Sequence, residues 1–259
     1  MKFFAAVHAD AGIRKKKNQD SLLLMEAETN RGNILFASVC DGMGGLARGE
    51  DASAAMVNAF RKWFEKVLPQ LVRSIQKGTI CEEWLWKQWT ALINNTSCCI
   101  EAYGRSNHFD LGTTATGLLI CRDAFYTLNV GDSRVYLLTD KIVCLTRDQT
   151  YVQQEIDAGR MTYEQSLVDP YRNVLLQCIG AGPSVRPVFG CGRAAPGQAF
   201  LLCSDGFRHV ISEEEIYRAF SPSEMTSEEI MEQSLFEMTE IIKERREADN
   251  ISAVLIRII

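Results

Sequence analysis

The chain has 259 residues, 46% hydrophobic and 24% charged, with a formal net charge of −5. That length supports one large core or two small ones. The acidic balance argues against nucleic acid, which needs a concentrated basic surface, and no run approaches the roughly 20 apolar residues of a membrane helix.

With no Pro/Gly/Ser-rich linker to divide it, one domain over residues 1–259 is expected. Nine cysteines, an odd number without a Cys-x-x-Cys pair, fit reduced thiols in a cytoplasmic protein better than a disulfide framework. With only three histidines, a structural zinc site is also disfavoured.

In chain order, Lys2 and the apolar run Phe3 to Val7 are too short for a signal peptide, and Phe3 to Ala9 reads as a first strand. A loop follows with the only basic run, Arg14-Lys15-Lys16-Lys17, which alone would be a solvated loop. Asn18-Gln19-Asp20 leads into an apolar strand from Ser21 to Met25, and Ile34 to Cys40 reads as a buried third strand. That strand ends in Asp41-Gly42-Met43-Gly44-Gly45. A carboxylate at the mouth of a buried strand suits a hard cation such as Mg²⁺ or Mn²⁺, and Gly42 leaves the backbone free to turn a carbonyl toward it. The alternative, an Asp-Gly hairpin, lacks a second strand within hairpin distance.

Ala52, Met56, Ala59, Phe60, Trp63 and Val67 form one helical stripe, with Pro69 just beyond. Leu85, Trp89, Leu92, Ile93, Thr96, Ile100 and Tyr103 form a second, in which the tryptophans read as core. The period then changes: Thr113 to Cys121, Phe125 to Val130, Val135 to Thr139 and Ile142 to Leu145 form an antiparallel meander. Asp148 to about Pro187 is irregular, with a short helix near Tyr151 to Ala158, and reads as a flap. Gln198 to Ser204 is a buried strand ending in Asp205-Gly206. Helices follow near Glu213 to Phe220 and Ser227 to Arg246, and Asn250 to Ile258 is the last strand. Apolar strands with antiparallel links imply an α+β fold, two stacked antiparallel sheets in a β-sandwich flanked by helices.

Asp20, Asp41, Asp132, Asp205 and Asp249 all stand where buried strands begin or end. Each alone is an ordinary turn residue. Together, on one rim of a sandwich, they would repel one another unless cations sat between them. Two cations held by shared carboxylates can split phosphate esters, and an Arg fork is the best side chain for the phosphate dianion. Arg14 stands on the loop feeding this rim.

The motifs Asn18-Gln19-Asp20-Ser21, Asp41-Gly42-Met43-Gly44-Gly45, Leu111-Gly112-Thr113-Thr114 and Asn129-Val130-Gly131-Asp132-Ser133-Arg134 occur in that order. They are followed by Arg172-Asn173-Val174-Leu175, Ile179-Gly180, Cys203-Ser204-Asp205-Gly206 and Asp249-Asn250-Ile251-Ser252. Through them, over nearly the whole length, the chain resembles the metal-dependent protein serine/threonine phosphatases of type 2C (the PPM family) in their compact bacterial form.

The resemblance implies an αββα four-layer fold. Asp41 would bridge two Mn²⁺ or Mg²⁺ ions, with the Gly42 carbonyl on one and Asp205 and Asp249 on the other. Asp20 would act through metal-bound water, and Asp132 would help hold a weaker third ion. A metal-bound hydroxide would attack phosphorus without a phosphoenzyme. The partners implied are phosphorylated proteins and a cognate bacterial Ser/Thr kinase in signalling, with no nucleic acid or membrane, and the protein would be a cytoplasmic monomer. The flap would affect substrate access, and Gly112-Thr113-Thr114 would be structural.

Three positions depart from the family. Gln19 stands where Glu is usual, which weakens the acidic contact to the metals. Lys15 holds the spacing of the phosphate-binding Arg, with Arg14 one residue earlier. A one-residue bulge restoring Arg14 is the favoured expectation, with Lys15 the alternative. Met43 replaces the histidine of many eukaryotic relatives, so a metal-bound water would protonate the leaving group. The rival readings are a cysteine-dependent phosphatase through Cys99-x5-Arg105-Ser106, a catalytically impaired binding module, and a phosphatase dedicated to one regulatory protein such as an anti-sigma-factor antagonist.

Overall fold

The computed structural model describes residues 1–29, 32–43, 48–74, 80–182 and 184–259. Gly44 and Gly45 of the glycine-rich turn lie outside the described residues. The first three strands are β1 (Phe3–Asp10), β2 (Ser21–Ala27) and β3 (Ile34–Cys40), followed by α1 (Gly49–Lys66), α2 (Leu68–Ser74) and α3 (Glu82–Asn107). The meander comprises β4 (Ala115–Cys121), β5 (Ala124–Val130), β6 (Arg134–Leu138) and β7 (Ile142–Cys144). The flap carries α4 (Tyr151–Asp157) and α5 (Tyr163–Ser166), and β8 (Val188–Arg193) and β9 (Ala199–Cys203) come next. The chain then runs through α6 (Asp205–Arg208), α7 (Glu213–Phe220), α8 (Glu228–Glu244) and β10 (Ile251–Ile258).

Two five-stranded sheets stack face to face, in the orders β1-β10-β9-β6-β7 and β2-β3-β4-β5-β8, with every described pairing antiparallel. Three apolar layers hold them. Val39, Leu118, Val135, Phe200 and Val254 fill the space between the sheets. Phe36, Phe60, Trp63, Trp89 and Leu119 join α1 and α3 to the second sheet. Phe207, Phe220, Leu235 and Leu255 join α7 and α8 to the first. Strands β3, β4, β5 and β9 are buried along their whole length because both of their faces are covered. Trp63 and Trp89 are core residues, with ring centroids 5.6 Å apart.

Strand β8 was not expected from sequence. Val188-Phe189-Gly190-Cys191-Gly192-Arg193 lacks apolar alternation, and its register with β5 (Ala124↔Arg193) alone makes it an edge strand. Thr113 is not in β4; it bridges Gly42 and Ile179 instead. Pro69 opens α2, where its missing N–H costs no helical hydrogen bond. All nine cysteines are free thiols. Among the described residues, no helix is long and apolar enough to cross a membrane.

Candidate metal centre

The strand ladders bring the five aspartates to one rim. Ser21 pairs with Cys40, so Asp20 and Asp41 are the next positions beyond that pair. Ala253 pairs with Cys203, and Ser204 donates its N–H to the Ser252 carbonyl at 3.0 Å, which sets Asp205 beside the turn carrying Asp249. Ala115 pairs with Val130, which brings the Asp132 turn to Thr113 and Thr114.

Backbone packing then locks the rim. A Cβ on Gly42 would stand 2.3 Å from the Gln19 carbonyl oxygen and 2.4 Å from that of Gly49, so three backbones meet where only glycine fits. A Cβ on Gly206 would meet the Asn250 oxygen at 2.2 Å, so the Asp205 and Asp249 turns touch directly. The Asp41 N–H donates to Thr114 Oγ1 (2.9 Å), and its carbonyl accepts from the Thr114 N–H (2.8 Å) and Thr113 Oγ1 (2.9 Å). The Thr-Thr turn therefore holds Asp41 in place. Asn250 does the same for the basic loop: Oδ1 accepts the Gln19 N–H at 2.9 Å, and Nδ2 donates to the carbonyls of Ala11 (3.0 Å) and Lys17 (3.2 Å).

Electrostatically the five act as one cluster. Burial first, then repulsion from Asp20, Asp205, Asp132 and Asp249, holds the Asp41 carboxyl well above the usual carboxylate range. Burial, with Asp205 repulsion behind it, pushes Asp20 up to about 7. Asp132 rises to about 7 from burial and Asp205, against the opposing pull of Arg208. Both Asp20 carboxylate oxygens and Asp205 Oδ1 are buried without a hydrogen-bond partner. Ser252, Asp41 and Ser204 are near enough to bias Asp20 downward, yet none reaches hydrogen-bond geometry with it.

Orphaned, mutually repelling carboxylate oxygens are what a hard divalent cation satisfies, so the residues fit a metal. Among the described residues no three His, Cys, Asp or Glu side chains form a closed cage. Carboxylates that repel one another make an open ring, which cations between them would draw together.

The basic loop presents one of its cations to the rim. Lys15, not Arg14, reaches the rim: Lys15 Nζ lies 3.1 Å from Asp249 Oδ1. Lys15 also lines a cleft of about 450 Å³ with Asp132, Asp249, Arg172 and Arg208. Arg14 ends the turn that starts at Gly12 and is exposed, outside the cleft lining. The anchors on Ala11 and Lys17 fix both ends of the loop, and Arg14 between them faces outward.

Gln19 donates from Nε2 to Glu50 Oε2 at 3.2 Å, so a glutamate at position 19 would face Glu50 with like charge. Met43 places its sulfur over Gly112, where a Cβ would touch it at 2.8 Å. Cys99 and Arg105 both lie within α3, and Arg105 pairs with Glu101. The backbone N–H groups there are consumed by the helix, so no phosphate cradle exists and the cysteine reading loses its basis.

Sequence reading did not single out Asp148, Arg208, His209 or Glu247. Glu247 is buried beside the rim, and its Oε1 accepts the N–H groups of Ala248 (2.6 Å) and Asp249 (3.0 Å). His209 lies between Asp205 (3.6 Å) and Glu247 (3.7 Å). The only signal for Arg208, His209 and Glu247 was their nearness to the Asp205 and Asp249 motifs, and Asp148 stood out only as the start of the flap.

The family model described as Protein phosphatase 2C matches residues 10–255. The chain belongs to that family. It is 29% identical over 226 residues to the serine/threonine protein phosphatase PstP of Mycobacterium tuberculosis, covering 85% of this chain and 39% of that protein. The chain thus spans about two-fifths of that relative's length. It is also 29% identical over 210 residues to the protein phosphatase PhpP of Streptococcus pneumoniae, with 80% of each covered. Among solved structures, the catalytic domain of PstP in complex with two manganese ions superposes with a TM-score of 0.75 at 27% identity, covering 98% of this chain and 97% of that one.

Proposed function

We propose that the chain hydrolyses phosphoserine and phosphothreonine in proteins, using two divalent cations, Mn²⁺ or Mg²⁺, and opposing a bacterial Ser/Thr kinase. The observation that carries this reading is the ring of five converging aspartates with orphaned, buried oxygens. Asp41, Asp205, Asp249 and the Gly42 carbonyl would hold the pair of ions, with Asp20 behind them. When bound, the cations supply Lewis-acid charge at the phosphoryl oxygens and a water of lowered pKa for direct attack on phosphorus.

The chain's own residues do the positioning. Lys15 places an ammonium at the edge of the carboxylate ring, where it neutralises an incoming phosphate as a point charge with less directional control than an Arg fork. Thr113 and Thr114 hold the Asp41 backbone, and so the root of its side chain, at the ring. Met43 has no proton to give, so the leaving alkoxide takes its proton from water.

The flap, 148–187, is rooted beside Asp132: the Gln149 N–H donates to the Gly131 carbonyl and the Gly131 N–H to Gln149 Oε1, both at 2.9 Å. Tyr163, Leu167, Val168 and Tyr171 on this segment are exposed, and Tyr163 and Leu167 line the cleft. These apolar groups would meet the substrate protein around its phosphoresidue. A single domain acting as a cytoplasmic monomer belongs to the same reading.

The test is phosphate release from a phosphothreonine peptide. Release is expected with Mn²⁺, is expected to stop with excess EDTA, and is expected to fall on the order of 100-fold in Asp205→Asn at fixed Mn²⁺. A folded Asp205→Asn protein with full activity would remove the two-cation assignment.

A further inference from the structure

The acidic ring contains a cation of its own. Arg208 ends α6, and its side chain is only 12% exposed. Its Nη2 donates to the Asp132 carbonyl at 2.9 Å and to Asp148 Oδ2 at 3.1 Å. Asp148 is also held by Arg134 through two parallel bonds, Nε to Oδ1 at 2.8 Å and Nη2 to Oδ2 at 2.9 Å. Two guanidiniums and one carboxylate leave one net positive charge in a nearly buried triad directly behind Asp132. A buried guanidinium in excess is tolerated only where negative charge compensates it, and the negative charge nearby is the aspartate ring together with the exposed Glu213, 3.9 Å from Arg134.

We propose that Arg208 takes the place of a third divalent cation beside Asp132, so that the centre is complete with two. This rests on the two-cation reading and narrows it. The resemblance stated from sequence implies a weaker third ion at Asp132, and the side chains here do not fit one. Beyond the Asp132 carboxylate itself, the oxygen donors on that side are already occupied: the Asp132 carbonyl accepts from Arg208, and both Asp148 oxygens accept from guanidinium groups. Charge leads to the same answer. Five ring carboxylates and the buried Glu247, set against Lys15 and one net positive triad, leave four negative charges, which two divalent ions neutralise. A third ion would leave an excess of positive charge at the rim.

The test counts Mn²⁺ sites by titration calorimetry on the intact, folded chain. Two sites are expected in the wild type, and two in Arg208→Lys, which keeps the charge. Arg208→Met, similar in length and neutral, is expected to gain a third and weaker site, which adding Asp132→Asn removes. Three sites in the wild type, or a folded Arg208→Met protein that still binds two, would overturn the inference. Should Arg208→Met not fold, Asp132→Asn in the wild-type background decides: two sites are expected, and the loss of a weak third site overturns the proposal. A folded wild type that binds no Mn²⁺ would remove the metal reading itself, an outcome distinct from a count of three.

Discussion

At the scale of single residues, position rather than type decides which cation stands at the rim. Arg14 is the better phosphate ligand in principle, but the loop is fixed at both ends by Asn250 and presents Lys15. Lys15→Ala is expected to raise KM for a phosphothreonine peptide about tenfold, from roughly 1.5 kcal/mol for a hydrogen bond to a charged group. Arg14→Ala is expected to leave KM nearly unchanged. The reverse order in steady-state kinetics would show that Arg14 turns inward when substrate binds. Gln19 carries a related lesson: its amide is paired with Glu50, so Gln19→Glu is expected to lower stability rather than improve Mn²⁺ binding, and a calorimetric titration beside a melting curve checks both.

At the scale of elements, α3 settles two questions. It places Cys99 on an exposed helical surface, so Cys99→Ser is expected to keep wild-type phosphate release, and a complete loss would revive a cysteine mechanism. The same helix buries Trp89 completely against Phe36, Trp63 and Phe189. Trp89→Ala is therefore expected to cost about 3–5 kcal/mol of stability by chemical denaturation. Helix α7 falls where it was expected near Glu213 to Phe220, and the structure shows a capping box of Ser212 and Glu215 at its start. Strand β8 carried no such signal, since an edge strand with two glycines has neither a stripe nor a cap.

At the scale of the whole molecule, the fold concentrates negative charge on one rim, and stability should record it. Burial and Asp205 repulsion raise Asp20 and Asp132 to about 7. An acid with a higher pKa in the folded state binds more protons there than when unfolded, so its stabilising contribution is present at low pH and is lost as pH rises through the folded value. The cation-free protein is expected to lose Tm between about pH 5 and about pH 8, and Mn²⁺ is expected to raise Tm more at the upper end. Asp148, Asp10 and Glu215 are shifted downward, so their contributions change only below about pH 4.5 and do not blur this window. His8, lowered mainly by burial, opposes the trend as a single group. A flat or rising Tm across the window in EDTA would show that the ring is not strained by its own charge.

The sequence by itself determined the layered α+β architecture, the buried strands and the five aspartates at strand ends. Apolar periodicity and chain reversals are local properties, and local properties are written in consecutive residues. Tertiary structure decided what depends on residues far apart in the chain. It chose Lys15 over Arg14 because Asn250, more than two hundred residues away, holds the loop. It put Cys99 and Arg105 on a helix that cannot cradle phosphate. It also set Arg208 behind the aspartate ring, through contacts with the Asp132 carbonyl and Asp148 that no spacing in the chain announces.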